Sequence, residues 1–327
     1  MNTIKYLICA YTALCLAVSS CASINIDDVT GIELKDVAVQ VDYTSARVSG
    51  YFKDISKIDM ITDIQIKYGI SYDSINQVVS AKYDGPNGFS ADIRSLEDGC
   101  QYFYRVDIIV GKTTLVGEIL NFVTFPIGPI DLDLPSGKRW ASHNVGAENP
   151  TASGEYYAWG EIEEINNYNW KTYKFCVDGS FSKLTKYVTE EHRSYFGSPD
   201  NMVELLPEDD VAYMRLGEGW SIPTYKDWME LIDNSLISSV TINGIKGVKI
   251  SSLSDRHNFK KFIFLPSQGG LYKDTSLNYD TYAYYWTSTL SKFSYEAVNI
   301  YVDALNSLNY SSNFRSYGLP VRAIFVN

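Results

Sequence analysis

Cysteine and histidine are scarce in this chain, with five and three among 327 residues. No CxxC spacing and no disulfide framework is present. Cys9 and Cys15 fall in an N-terminal apolar run, which leaves Cys21, Cys100 and Cys176. Cys100 and Cys176 read as buried free thiols in different domains, the commonest role of an isolated cysteine. His143, His192 and His257 are scattered, and none stands beside a serine or cysteine in a nucleophile motif. G-x-S-x-G, H-E-x-x-H and P-loop patterns are missing as well. Positive charge is also short, with 28 Lys and Arg against 39 Asp and Glu and a formal charge of −11. That balance argues against nucleic acid and against nonspecific attraction to anionic membranes.

Tyrosine is what the chain has in excess, with 26 residues. Tyrosine packs its ring and keeps its hydroxyl wet, which suits β-rich extracellular modules. A hydrophobic share of 45% is ample for packed cores, and the length predicts two domains.

The first twenty residues read as a targeting segment. Lys5 supplies a minimal positive start, and the apolar run Leu7 to Val18 is too short to span a bilayer as a mature helix. Val18-Ser19-Ser20-Cys21 resembles a bacterial lipoprotein signal, which implies cleavage after Ser20 and lipid on Cys21. The rival is an ordinary secretory signal cleaved near Ala22. Ala22 in place of Asp after the cysteine argues against inner-membrane retention, so the resemblance implies an outer-membrane lipid anchor. Residues 21–30 are expected to form a tether.

From 31 to 126 the pattern has period two. Val37-Val39-Val41, Val48-Gly50-Phe52 and Ile64-Ile66-Tyr68 alternate, with turn signals such as Asp84-Gly85-Pro86-Asn87-Gly88 between strands. Leu96-Glu-Asp-Gly-Cys-Gln-Tyr102-Phe-Tyr-Arg-Val106 resembles the corner of fibronectin type III domains, with Asp98 where proline is usual. The resemblance implies a β-sandwich in which the Tyr102 hydroxyl returns to nearby backbone. The expected role of such a domain is a spacer.

Pro126-Ile-Gly-Pro129 punctuates the chain, and a second domain is expected over 127–327. Its centre is Leu206 to Ile232, two short helical patterns joined by a Gly-rich turn. Pro207, Glu208, Asp209 and Asp210 suit a first helical turn. Thr224, three residues before Asp227, forms a capping-box-like start. Gly219-Trp-Ser-Ile-Pro-Thr224 resembles the G-W-R-[LM]-P-T signature of the Fibrobacter-type major paralogous domains of Bacteroides-like surface lipoproteins, with Ser221 in place of Arg. Asp131-Leu-Asp-Leu-Pro-Ser-Gly137, Gly154-Glu-Tyr-Tyr-Ala-Trp-Gly-Glu161, Asn243-Gly244, Phe262-Ile-Phe-Leu-Pro266, Tyr285-Trp-Thr-Ser288 and Val321-Arg322 match its other blocks in order. The resemblance implies an α+β C-type-lectin-like fold related to formylglycine-generating enzymes. Those enzymes use paired cysteines, and this domain has Cys176 alone, so that activity is not carried over.

Glu161, Glu163 and Glu164 read as a solvated acidic loop, and Glu148-Asn149-Pro150 as a turn. The lectin-like resemblance allows a structural Ca²⁺ but names no ligands, and no other cofactor is implied. The aromatics are the better lead. Tyr272, Tyr279, Tyr282, Tyr284, Tyr285 and Trp286 crowd together, and Tyr310, Phe314, Arg315 and Tyr317 form a second group. Rings beside amides and Arg suit a sugar face or a protein partner. The expected ligand contacts are Asn278, Tyr279, Tyr282, Tyr310 and Arg315. The expected fold is an all-β, fibronectin-III-like sandwich followed by an α+β C-type-lectin-like domain. The expected function is noncatalytic, adhesin-like binding of glycan or surface protein. The rivals are a polysaccharide-processing enzyme or accessory and a structural subunit of a surface assembly such as a pilus tip.

Overall fold

A computed structural model describes residues 22–25, 31–190, 198–255, 257–273, 275–277, 282–303 and 307–326. Strands account for 45% of the chain and helices for 8%, so antiparallel sheets carry the architecture.

The first ten strands are β1 (Ala22–Asn25), β2 (Glu33–Val41), β3 (Ser45–Phe52), β4 (Asp63–Gly69), β5 (Gln77–Ser80), β6 (Lys82–Asp84), β7 (Gly88–Arg94), β8 (Gln101–Val110), β9 (Thr113–Val116) and β10 (Leu120–Val123). They form two sheets, in the orders β1-β2-β3-β7-β6 and β10-β8-β4-β5, with β9 also along β8. The expected alternation holds, since Val37, Val39, Val48, Ile64 and Ile66 all point into one core. The hydroxyl of Tyr102 accepts the backbone N–H of Glu97 at 2.9 Å, the corner contact that the resemblance implied. The expected tether is in part a strand. Ala22–Asn25 pairs antiparallel with β2, whose edge would otherwise stand open.

The remaining elements are β11 (Pro129–Ile130), β12 (Arg139–Ala141), α1 (Val211–Leu216), β13 (Trp220–Ser221), α2 (Tyr225–Asp233), β14 (Ser235–Ile242), β15 (Ile245–Ser252), β16 (Phe262–Pro266), β17 (Gly270–Tyr272), β18 (Thr275–Leu277), β19 (Ala283–Leu290), β20 (Glu296–Val302), β21 (Leu308–Phe314) and β22 (Ile324–Phe325). They make four small sheets: β11-β12-β22-β13, β14-β15-β16, β17-β18 and β19-β20-β21. The capping box forms. Thr224 Oγ1 accepts the Asp227 N–H at 3.2 Å, and an Asp227 carboxylate oxygen accepts the Thr224 N–H at 2.9 Å. Asp210 caps α1. It accepts N–H groups from Ala212, Tyr213 and Ile222, while burial pushes its carboxyl up to about 6.

Residues 142–206 contain no strand or helix among the described ones, apart from isolated bridges. So long an irregular stretch needs its own packing. Tyr157, Trp159, Tyr168, Tyr173, Phe175 and Tyr187 supply it, all buried in one cluster with Trp286. Trp159 and Trp286 each donate their indole N–H to a carbonyl, of Thr287 and Tyr157. Arg322 lies fully buried and donates to Asn144 Oδ1 and to the carbonyls of Ala141 and Phe264.

The two halves share a core. Phe262 and Phe264 of β16 belong to the buried cluster of the sandwich, with ring centroids 6.0 and 6.5 Å from Phe125. The two-residue turn of the β14–β15 hairpin, Asn243-Gly244, has φ of +53 and +80°, the left-handed pair that such a turn requires. Its Asn243 amide reaches the sandwich, accepting the Val41 N–H and donating to the Val41 C=O, both at 2.8 Å.

Candidate functional site

The aromatics of the second half divide between inside and outside. Trp140, Trp159, Trp228, Trp286, Tyr173, Tyr187 and Tyr285 are fully buried and build the fold. A second set lies at the surface and forms one connected belt. Trp170 and Phe181 come from the irregular segment, with ring centroids 6.2 Å apart. Phe293 and Tyr295, in the β19–β20 turn, stack at 5.4 Å and 8°. Tyr295 touches both Phe181 (5.3 Å) and Phe314 (6.0 Å), and Phe314 touches Trp170 (5.9 Å). Tyr317 extends the belt from Phe314 to Tyr272, at 5.6 and 4.8 Å. Phe181 remains 48% exposed, Phe293 39% and Phe314 37%. Rings packed edge to face against one another are held in place while still offering apolar area to a ligand. Contiguous exposed aromatics of this kind mark contact surfaces more than scattered apolar residues do. Two lysines edge the belt, with Lys273 Nζ 5.3 Å from the Tyr272 centroid and Lys292 Nζ 5.9 Å from Phe293.

Of the residues expected as ligand contacts, the described ones, Tyr282, Tyr310 and Arg315, do not come together. Tyr282 stacks on Tyr284 at 5.9 Å, and both approach Tyr301 at 6.3 Å. Tyr310 is 60% exposed but leans on Tyr225 of α2 at 4.9 Å. Tyr301 pairs with Tyr284, while Tyr310 lies opposite Ile300, the next residue along β20. Neighbouring positions on a strand face opposite ways, so the two tyrosine groups occupy opposite faces of the sheet. Asn278, Tyr279 and Cys21 lie outside the described residues.

Arg315 is a correction. It is fully buried rather than exposed. Its guanidinium donates to the Tyr173 hydroxyl and to the carbonyls of Ser294, Tyr187 and Lys186. It lies over the rings of Trp159, Tyr173, Phe175 and Tyr187 at 4.8 to 5.7 Å. With its donors spent inside, it meets no ligand.

The acids lie in a loop as expected, with Glu163 and Glu164 exposed and Glu161 half-buried, and all three are engaged. Glu161 accepts the Lys174 N–H at 2.8 Å, Glu164 accepts the Tyr156 N–H at 2.9 Å, and Glu163 pairs with Arg215 at 2.7 Å. Asp209 gathers Lys186, Tyr187 and Lys174. Burial raises its carboxyl, but those three donors outweigh burial and hold it below the usual range. His143 joins Ser142 and the Tyr43 hydroxyl, at 3.0 and 2.6 Å, where the two halves meet. Ser142 is only 7% exposed, so this trio is a packing joint and does not present a nucleophile. Among the described residues no group of three or more His, Cys, Asp or Glu could hold a metal ion. No described helix is long and apolar enough to cross a membrane.

Trp170, Phe181, Phe293 and Tyr295 escaped the sequence reading. Its tyrosine-dense windows point to Tyr272, Phe314 and Tyr317, whereas these four lie in segments without helical or strand periodicity. Their signal was the placement of large rings where no strand or helix needs them.

No family model matches the chain, and no curated protein matches it. Among solved structures, the sensor domain of the anti-sigma factor RsgI4 of Pseudobacteroides cellulosolvens overlaps it at 21% identity, over 29% of this chain and 94% of that one, with a TM-score of 0.20. A solution structure of the same sensor domain overlaps at 21% identity over 27% and 75%, also with a TM-score of 0.20. Overlap at that score assigns neither fold nor activity here.

Proposed function

We propose that this chain is a noncatalytic surface lipoprotein that binds glycan through the exposed aromatic belt, with a protein ligand as the second choice. Its first half is read as a fibronectin-III-like sandwich and its second as a C-type-lectin-like domain. The sheet orders β2-β3-β7 and β5-β4-β8-β10 and the Tyr102 corner support the first assignment. The ordered blocks around Trp159, Trp286 and Arg322 support the second. The lipid anchor on Cys21 and the outer-membrane position rest on the Val18-Ser-Ser-Cys21 pattern.

The observation that carries the binding reading is the belt itself. Trp170 and Phe181 of the irregular segment, Phe293 and Tyr295 of the β19–β20 turn and Phe314 of β21 come from three separate segments, yet they meet at the surface. A sugar's apolar face stacks on such rings, and tyrosine and lysine at the edge reach its hydroxyls. Against the enzyme rival, the acids that the sequence singles out, Glu161, Glu163 and Glu164, are engaged in structural contacts.

The test is a glycan array probed with the lipid-free chain and with its Trp170→Ala and Phe314→Ala forms. Binding that falls in both variants, with melting held within a few degrees, is the expected result. Glycan binding that both variants retain would remove the belt. Absence of glycan binding alongside capture of a stoichiometric surface partner would favour the protein ligand.

A further inference from the structure

A second site lies away from the belt, where the two halves meet. A cleft of about 520 Å³ opens between the β2–β3 turn, the outer face of β3 and β7, and two turns of the second half. The sandwich contributes Gln40, Asp42, Arg47, Asp92 and Arg94 among its lining residues, and the second half contributes Asn149, Thr151 and Asn243. That volume lies within the range of small-molecule sites, which often form at domain junctions.

Its chemistry is narrow. Carboxylates, guanidiniums and primary amides, each presenting two polar atoms in one plane, line it together with hydroxyl residues such as Thr44, Ser95 and Thr151. Two neighbouring hydroxyls on a sugar ring match that geometry, giving and accepting at once. The charges cancel within the cleft. Asp92 pairs with Arg47 at 3.2 Å and approaches Arg94 at 3.8 Å, and Asp42 offsets the remaining positive charge. An anionic ligand would compete with Asp92 for the two arginines, in a chain whose formal charge is already −11.

Several groups keep unspent capacity. Asn149 uses Oδ1 to accept from the Thr151 N–H and hydroxyl, which leaves its amide N–H donors for a ligand. The side chain of Arg94 is 80% exposed, with only the 3.8 Å approach to Asp92. The Asn243 amide is engaged with Val41 through both its oxygen and its nitrogen, so it fixes the cleft wall. Because that clasp ties the two halves together, the cleft has a preformed shape, and little ordering cost falls on binding.

We propose that this cleft binds a short neutral saccharide, with Arg94, Arg47 and Asn149 as its principal donors and Asp42 and Asp92 as its acceptors. The site is separate from the aromatic belt and does not depend on it.

Isothermal titration of the lipid-free chain with neutral cello-, malto-, manno- and xylo-oligosaccharides, and with an oligogalacturonate, tests it. Arg94→Ala removes an exposed donor, and Thr44→Trp plugs the cleft from an exposed turn. Neither change touches a core residue, and circular dichroism verifies that both fold. At least one neutral oligosaccharide should bind, with affinity about tenfold weaker in Arg94→Ala and lost in Thr44→Trp. Phe314→Ala should leave that binding unchanged, which separates this site from the belt. Three outcomes would overturn the proposal: no neutral saccharide binding, binding of the oligogalacturonate alone, or neutral binding that Thr44→Trp leaves intact.

Discussion

Arg315 shows how one residue type changes meaning between sequence and structure. Read beside Tyr310 and Tyr317 it suits a ligand hydroxyl, but the chain turns it inward. The Arg315 N–H is hydrogen-bonded to the Tyr295 carbonyl, and its side chain then threads through the aromatic packing of the irregular segment. Removing it would leave the carbonyls of Lys186, Tyr187 and Ser294 short of a donor and open a cavity among Trp159, Tyr173 and Phe175. Arg315→Ala should therefore destabilise the protein by about 3–5 kcal/mol. Urea unfolding checks this. A loss below about 1 kcal/mol would mean that solvent or a neighbour replaces the guanidinium at little cost. Asp133 gives the reverse lesson. It sits at φ +57°, the left-handed conformation that glycine adopts most readily. Asp tolerates that conformation better than most residues, and its carboxylate is filled by Lys261, Ser252 and Ser254.

At the scale of elements, local devices were legible and non-local ones were not. The alternating strands, the Asn243-Gly244 turn, the Thr224–Asp227 capping box and the Tyr102 corner each depend on residues within a few positions of one another. Segment 142–206 has no period, so sequence could place its aromatics neither inside nor outside. The belt was invisible for a related reason, since Trp170 meets Phe314 across 144 positions of chain. The joint between the β2–β3 turn and the segment after β12 is also non-local. There the Tyr43 hydroxyl meets Ser142 and His143, and Arg322 lies close enough to act on the imidazole. Burial first, and then the Arg322 charge, hold His143 below its ordinary pKa of 6.5. A base with a depressed folded pKa stabilises the fold fully above the unfolded value and loses that contribution as pH falls through the folded one. Melting temperature should thus decline as pH drops below 6.5, and His143→Gln should flatten part of that decline. If wild type and variant fall in parallel, the joint is not titrating.

For the whole molecule, the decisive feature is that the boundary between the halves is packed like an interior. Length and the punctuation at Pro126 and Pro129 suggest two domains, and the fibronectin resemblance implies that the first is a spacer. The structure instead puts Phe262 and Phe264 into the sandwich core, beside Phe125. Burying each such ring contributes about 1.5–3 kcal/mol, a large share of the total stability of a typical domain. The Asn243 clasp and the ion pair between Lys260 and Glu97 at 3.1 Å add to the same boundary, the exposed pair only weakly. A flexible spacer would let the second half swing, whereas a shared core makes the two move as one and fixes the cleft between them. The coupling should appear as a single calorimetric transition for the full chain, with the calorimetric and van't Hoff enthalpies in agreement. Phe264→Ala should lower that transition without splitting it, because the lost ring belongs to both halves. Two resolved transitions in the wild type would mean that the halves fold apart, and the preformed cleft would lose its physical basis.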